Sequence, residues 1–274
     1  MDLPGRTGSR QSDAPYEAMR RDDTGAALPD YDPYCGPAPQ PDALWQAWNL
    51  DPWLMPLAAA MLAVCVAMSS VRSRAEVGRL PALAALVVLL VAFVSPLCAL
   101  ATALYSARIA HHLLLVAVAA PLLALALPAS RAMLRVPLAV PFLVHTVAMW
   151  LWHAPAPYAF ALSSDAAYWT MEASLLVSAV WLWQAMLSPA THPGGALAAL
   201  FGQIVQMGML GALFTFAGRP LYEAHATSTL PFGLTPLADQ QLAGILLWVP
   251  AALPYLAAAL LIAARLLAPQ ARRA

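Results

Sequence analysis

Past residue 50 the chain reads as long apolar runs separated by short polar breaks, and the lengths of those runs decide its class. Seven of them lie near Pro52–Val71, Leu80–Leu100, Ile109–Leu127, Val136–His153, Tyr168–Leu187, Ala196–Ala217 and Gln240–Leu261. Each is about 18 to 22 residues long, what an α-helix needs to cross a bilayer core of about 30 Å. Backbone amides and carbonyls find no partners in lipid, so each run must close its hydrogen bonds within itself, as a helix. The pattern predicts an all-α integral membrane protein, a seven-helix transmembrane bundle occupying residues 51–267. Residues 1–50 are polar, rich in Pro, Asp, Arg and Gly, and without an apolar period, so they read as a disordered N-terminal tail. No apolar core precedes a cleavage site there, which argues against a signal peptide. Residues 268–274 form a short basic tail.

Arginine placement sets the orientation. Arg72, Arg74 and Arg79 follow the first run, Arg131 and Arg135 the third, and Arg265, Arg272 and Arg273 the seventh, against Arg108 and Arg219 in the opposite loops. Arginine-rich loops stay in the cytoplasm, so the N-terminus is outside and the C-terminus cytoplasmic. The tail carries four arginines against eight acidic residues, a net of −4, which is compatible with its export. Trp45, Trp48, Trp53, Trp150, Trp152 and Trp169 then fall at the outer boundary, where amphipathic rings prefer to sit. Pro96, Pro121, Pro141, Pro250 and Pro254 lie inside predicted helices and should bend them. Gly208 and Ala212 form a small-xxx-small step suited to close helix packing.

Composition agrees with a membrane protein. Hydrophobic residues make up 61% of the 274 positions and charged residues 10%, against about 25% charged in a soluble domain. A formal net charge of zero removes the electrostatic case for nucleic-acid binding. Cys35, Cys65 and Cys98 show no CxxC or CxC spacing. Cys65 and Cys98 read as small buried hydrophobes; Cys35 lies in a tail facing an oxidising compartment, with no evident partner. No disulfide framework follows.

The candidate chemistry is one-sided. With the N-terminus outside, His111, His112, His153, Asp165, Glu172, Glu223, His225 and Asp239 all fall at the outer face, Glu76 and His192 at the other, and His145 near mid-depth. A charge at a helix centre costs about 2.5 to 3.5 kcal/mol on insertion scales, so such a gathering marks a site. Arg108 and His112, four apart, share a helical face, with His111 about 100° away. These histidines are either interior ligands for a metal or haem, or interfacial groups bonded to water and headgroups. His153 stands before a proline-rich turn that fixes it at the outer surface, whereas His145 reads as a satisfied core histidine. Glu172 is favoured by the dipole of its helix, and is also placed to orient a histidine or ligate a metal. Asp239 caps the last helix, and Gln240 beside it suits an interhelical hydrogen-bond cluster at the outer mouth. Met149, Met171, Met207 and Met209 add thioethers to imidazoles, a pairing that favours copper, Cu(I) especially.

Several segments carry a resemblance when taken in order: Asn49-Leu-Asp-Pro52, Ser95-Pro-Leu97, Leu104-Tyr-Ser-Ala107, His112-Leu-Leu-Leu115, Ala120-Pro-Leu-Leu123, Leu151-Trp-His-Ala-Pro155, Gly211-Ala-Leu-Phe-Thr-Phe216, Pro220-Leu-Tyr222, Gly233-Leu-Thr-Pro236 and Asp239-Gln-Gln-Leu-Ala-Gly244 running into Trp248-Val-Pro250. Together they resemble the CtaG family, multi-spanning assembly factors of caa-type cytochrome c oxidase. The resemblance implies a non-catalytic protein of the bacterial inner (plasma) membrane, acting at its periplasmic face and linked to the oxidase's copper centre. Its implied partners are the bilayer and oxidase subunits or their assembly chaperones. His112, His153 and Glu172 become the candidate copper ligands, with Arg108, His111, Asp239, Gln240 and Trp248 at the outer mouth. Arg108 stands where the family carries the first histidine of a His-x-x-x-His pair. Trp169 and Ala173 replace the histidines of a His-x-x-Glu-His pattern, leaving Glu172. Two other readings stay open. One is a haem-binding electron carrier of cytochrome b type, with His112 and His153 as axial ligands. The other is a metal- or proton-coupled transporter, for which the inner half offers little beyond His145 and Tyr255.

Overall fold

Helices start and stop where the sequence supplies a cap, a proline or a proline's missing donor. The computed structural model describes residues 31, 33–56, 59–60, 63 and 75–267. Most of the first apolar run, with Cys65, Arg72 and Arg74, lies outside the described residues, as do residues 1–30 and 268–274. Residues from Asp32 onward form one unit, separate from Met1–Tyr31. No strand occurs among the described residues.

The second run is broken. Helix α1 (Ala75–Phe93) ends before Ser95, whose Oγ accepts from the Leu97 amide at 3.2 Å and caps α2 (Pro96–Ala103). The two axes meet at 46°. Pro96 therefore opens a new helix, where its missing N–H costs nothing, and does not kink a continuous one.

The third run is the continuous helix α3 (Tyr105–Ala126), widened into a π-helix over Leu114–Ala119 just before Pro121. There the Ala120 amide reaches back five residues to the Leu115 carbonyl, which takes from Val116 its usual donor. Trp183 supplies the replacement: its Nε1 donates to the Val116 carbonyl at 3.0 Å. A carbonyl in an apolar bundle is thus satisfied from a neighbouring helix.

A one-turn helix α4 (Arg131–Leu134) leads to α5 (Ala139–Trp152), only 14 residues long. Pro155 opens α6 (Pro155–Ala161), a separate short helix just past His153, where the fourth run ends. Helix α7 (Asp165–Leu187) is capped by Ser164 and α8 (Pro193–Phe216) by His192. The last run divides at Pro250 into α9 (Pro236–Trp248) and α10 (Ala252–Leu267). Among the described residues, α3, α7, α8 and the joined α9–α10 stretch (Pro236–Leu267) are long and apolar enough to cross a membrane; the bent α1–α2 pair makes a fifth span if taken as one.

Helices α8 and α9 cross at a glycine pair. A Cβ on Gly211 would lie 2.7 Å from the Gly244 carbonyl, and one on Gly244 would meet Gly211 and Thr215 backbone as closely. At Gly208 the nearest atoms belong to Trp248 at 3.6 Å, an ordinary contact. The small-residue step expected at Gly208 and Ala212 lies on the right helix, but the close approach is at Gly211, three residues past Gly208 and one before Ala212.

Residues 33–50, expected to belong to a disordered tail, are built into the bundle. Cys35 and Cys98 form a disulfide across 63 residues of sequence. Tyr34 Oη donates to Asp51 at 2.6 Å, and Leu44–Gln46 forms a 3-10 turn. Cys98 is therefore a disulfide partner, where a plain buried hydrophobe was expected, and Cys35 has its partner on α2.

Candidate functional site

Three side chains of one helix converge on one carboxylate oxygen of another. On α3, Arg108, His111 and His112 occupy one and a half turns and are wholly buried, with Arg108 and His111 at 0% exposure. On α7, Glu172 is equally buried. Its Oε1 lies 3.3 Å from Arg108 Nη1, 3.4 Å from His112 Nε2 and 3.6 Å from His111 Nδ1. These are longer than closed charge-assisted bonds, about 2.7 to 2.9 Å. Both nitrogens of His111, Nε2 of His112 and Oε2 of Glu172 have no hydrogen-bond partner. Arg108, expected among the outer loops, sits inside α3 because Glu172 pairs with it and the Tyr168 ring stacks at 5.3 Å.

His153, at the C-terminus of α5, meets His112 nitrogen to nitrogen: His153 Nε2 and His112 Nδ1 are 3.3 Å apart. His153 Nδ1 donates to the Met149 carbonyl at 2.7 Å, which leaves its Nε2 an acceptor. His112 must then donate from Nδ1, and its Nε2 faces Glu172 Oε1: a proton on that nitrogen makes it a donor to the carboxylate, and a neutral ring leaves two acceptors that a metal cation between them would join. His111, His112 and Glu172 each offer one donor atom within 4.8 Å of the others, an arrangement able to hold a metal ion.

The expected trio of His112, His153 and Glu172 is therefore brought together, but His153 touches His112 and orients it, while His111 stands beside Glu172. Two imidazoles in direct contact leave no space for a porphyrin plane between them, so the bis-histidine haem arrangement does not form here. His145 pairs with Ser178 Oγ at 2.9 Å, away from the cluster, and Tyr255 stacks on Trp183.

The end of the bundle expected to be the outer mouth is held by Asp239 and Gln240. Asp239 was expected to cap its own helix; Thr235 does that, its Oγ1 accepting from Ala238. Asp239 instead caps α3 from across the bundle. Its carboxylate accepts from the Tyr105 amide at 2.6 Å, the Ser106 amide at 3.2 Å and the Ser106 hydroxyl. Helix α3 has no side-chain cap of its own, so this carboxylate fixes the helix that bears Arg108, His111 and His112. Gln240 accepts from the Leu221 amide at 2.7 Å and donates to the Phe214 and Arg219 carbonyls, tying down the loop after α8. Trp248 is half-exposed at the far end of α9 from Asp239, packed against Gly208 and Phe216 and remote from the cluster.

The sequence reading missed a group of buried tyrosines. Tyr105 donates to Tyr222 Oη at 2.7 Å, and Tyr222 donates to the His153 carbonyl at 2.5 Å. Tyr158 donates to His225 Nε2 at 2.8 Å, since His225 Nδ1 faces the Ala103 carbonyl. Burial pushes the Tyr158 phenol up to about 12, and burial with nearby Arg108 lowers the His225 imidazole to about 3, so both stay neutral. The loop after α8 thus reaches back to fix the backbone at His153. Nothing in residue spacing distinguished these tyrosines from interfacial aromatics.

A family model described as cytochrome c oxidase caa3 assembly factor (Caa3_CtaG) matches residues 134–268. That span holds His153, Glu172, Asp239 and Gln240, while Arg108, His111 and His112 precede it. No curated protein and no solved structure matches the chain.

Proposed function

Because the chain belongs to the family of cytochrome c oxidase caa3 assembly factors, we propose that it serves a haem-copper oxidase from the periplasmic side of the bacterial inner membrane. In this reading it is non-catalytic, and it handles a single copper ion at the Glu172 cluster, as cargo bound for the oxidase's copper centre. One observation carries it: the buried imidazoles of His111 and His112 converge on Glu172 Oε1, with one ligand atom from each of the three residues close enough to share an ion.

His111, His112 and Glu172 would hold the ion. His153 would orient His112 by accepting its Nδ1–H, itself fixed by the Met149 carbonyl, the usual way a second hydrogen bond sets a ligand's tautomer. Arg108 selects the charge. It already neutralises Glu172, so a bound ion adds its full charge to a buried site. The Born cost of burying charge rises with its square, so a divalent ion costs about four times what a monovalent one does. Neutral imidazoles beside an ion of single charge suit Cu(I). Two observations support the outer placement. The Cys35–Cys98 disulfide belongs to an oxidising compartment, and Arg79 stands exposed at the opposite end of α1.

The test is the oxidase itself, purified from a strain lacking this gene. The expected result is less assembled enzyme and a lower ratio of copper to haem in what remains. Normal copper content in scarce enzyme would remove copper handling and keep the assembly role; normal enzyme in normal amount would remove both.

A further inference from the structure

The cluster around Glu172 is buried, and one segment packed over it is fastened by a covalent bond. Tyr34 stacks on Tyr168 with centroids 5.0 Å apart and meets Trp169 edge-on at 5.1 Å. Tyr168 lies under the Arg108 guanidinium. Trp169 stacks on Phe93 at 5.1 Å, and Phe93 presents its edge to His111 at 5.0 Å. By two routes, then, the Tyr34 ring is one or two aromatic layers from the buried charges. The segment that carries Tyr34 is not helical there; its neighbour Cys35 anchors it to α2 through Cys98.

The two sulfurs differ as reactants. Cys35 is the more exposed, at 9% against 0% for Cys98, so an incoming thiolate reaches Cys35 Sγ first. Cys98 lies in the first turn of α2, behind the Ser95 cap, and the Asn49 side-chain amide points at its Sγ from 3.7 Å. A helix N-terminus and a donated N–H both stabilise a thiolate, which makes Cys98 the better leaving group. Tyr168 Oη stands 3.6 Å from Cys35 Sγ, so the bond also touches the ring it helps to cover.

We propose that Cys35–Cys98 is a thiol–disulfide exchange site that fastens a removable cover over the Glu172 cluster, and that its reactant is a dithiol. A thiolate of the dithiol attacks Cys35 Sγ; the Cys35–Cys98 bond breaks, and Cys98 leaves as a thiolate that takes up a proton. The second thiol of the reductant then attacks the mixed disulfide and releases Cys35. Two electrons pass to the protein, and the dithiol becomes a disulfide. Once Cys35 is free, Tyr34 lifts from Tyr168 and Trp169. This goes beyond the assembly reading and stands whether or not copper binds.

The experiment uses the full chain in lipid nanodiscs with dithiothreitol as the dithiol. Alkylation of Cys35 and Cys98 is followed peptide by peptide, alongside diethyl pyrocarbonate modification of each histidine. The expected result is that both cysteines are alkylated without denaturant, and that His111 and His112 react about tenfold faster, since attack on a buried group tracks the population of the open form. Buried His145 and exposed His192 should not change. Cys35→Ser should reproduce the faster rates with no dithiol present. Should that variant fail to fold, Tyr34→Ala, which keeps the disulfide, should give a smaller rise of the same kind. Alkylation only after denaturation overturns the exchange site. Alkylation with unchanged His111 and His112 overturns the cover, and so does an equal rise at His145, which would mean the whole bundle had loosened.

Discussion

Arg108 is a permanently charged side chain at the heart of an apolar bundle, and its ion-pair partner sits 64 residues away on a facing helix. A buried pair of this kind gives little net stability, but removing one member strands the other in low dielectric, at a cost of about 3 to 5 kcal/mol. Arg108→Met should therefore lower the thermal midpoint of the detergent-solubilised protein sharply, while Arg108→Met combined with Glu172→Gln should recover most of it. A single variant that melts like the wild type would mean that Glu172 is not held as an anion by Arg108. Sequence alone put Arg108 on the helical face of His112 yet counted it with the outer loops, because charge counting assigns an arginine at a predicted helix end to the flanking water. Its burial depends on Glu172 and Tyr168 arriving from α7, and helical spacing reports only neighbours three or four residues away. His112 and Glu172 were legible for the opposite reason: an ionisable group inside an apolar run is conspicuous wherever its partner lies. His153 was grouped with His112, which it touches, but its run could not show that it meets that imidazole and not the Glu172 carboxylate, since a residue's depth can be read from its run but its contacts cannot.

At the scale of elements, interruptions were easier to foresee than their form. Prolines marked the breaks, yet Pro96 starts a helix, Pro121 follows a π-helical segment, and Pro250 splits the last run. Which outcome occurs depends on what the neighbours offer, such as the Trp183 indole that satisfies the Val116 carbonyl. The glycines make the same point more sharply. Gly244→Ala would drive its methyl into the backbone of Gly211 and Thr215, where rigid atoms have nowhere to move. The expected cost is about 1 to 3 kcal/mol or more, read as a lower melting temperature. Gly208→Ala meets only the Trp248 side chain at ordinary contact distance and should melt within about 0.5 kcal/mol of wild type, as substitutions away from tight features do. Equal effects from the two would place the helix crossing elsewhere.

For the whole molecule, run length alone identified a multi-pass helical membrane protein, because only internally bonded helices survive in lipid. Of the seven predicted spans, four helices, or five with the bent α1–α2 pair, are long and apolar enough among the described residues: the first run lies mostly outside them, α5 has only 14 residues, and Ser95 with Pro96 bends another. The Cys35–Cys98 bond was invisible in sequence: three cysteines without a recognisable spacing fix no pairing, and the partners meet only once the N-terminal segment folds over α7. Asp239 and Gln240 tie α9 to α3 and to the loop after α8, so this end of the bundle is one connected structure around Glu172. That connection makes the cluster the place where function should fail first. The decisive measurement is oxidase activity with an artificial donor at the cytochrome c level, in membranes of a gene-deleted strain carrying wild type, His112→Ala or Glu172→Gln. The account predicts that the deletion loses activity and that wild type restores it. Both variants should leave activity near the deletion level when compared at equal amounts of each protein in the membrane. Full activity in the deleted strain, or full restoration by both variants, would contradict it.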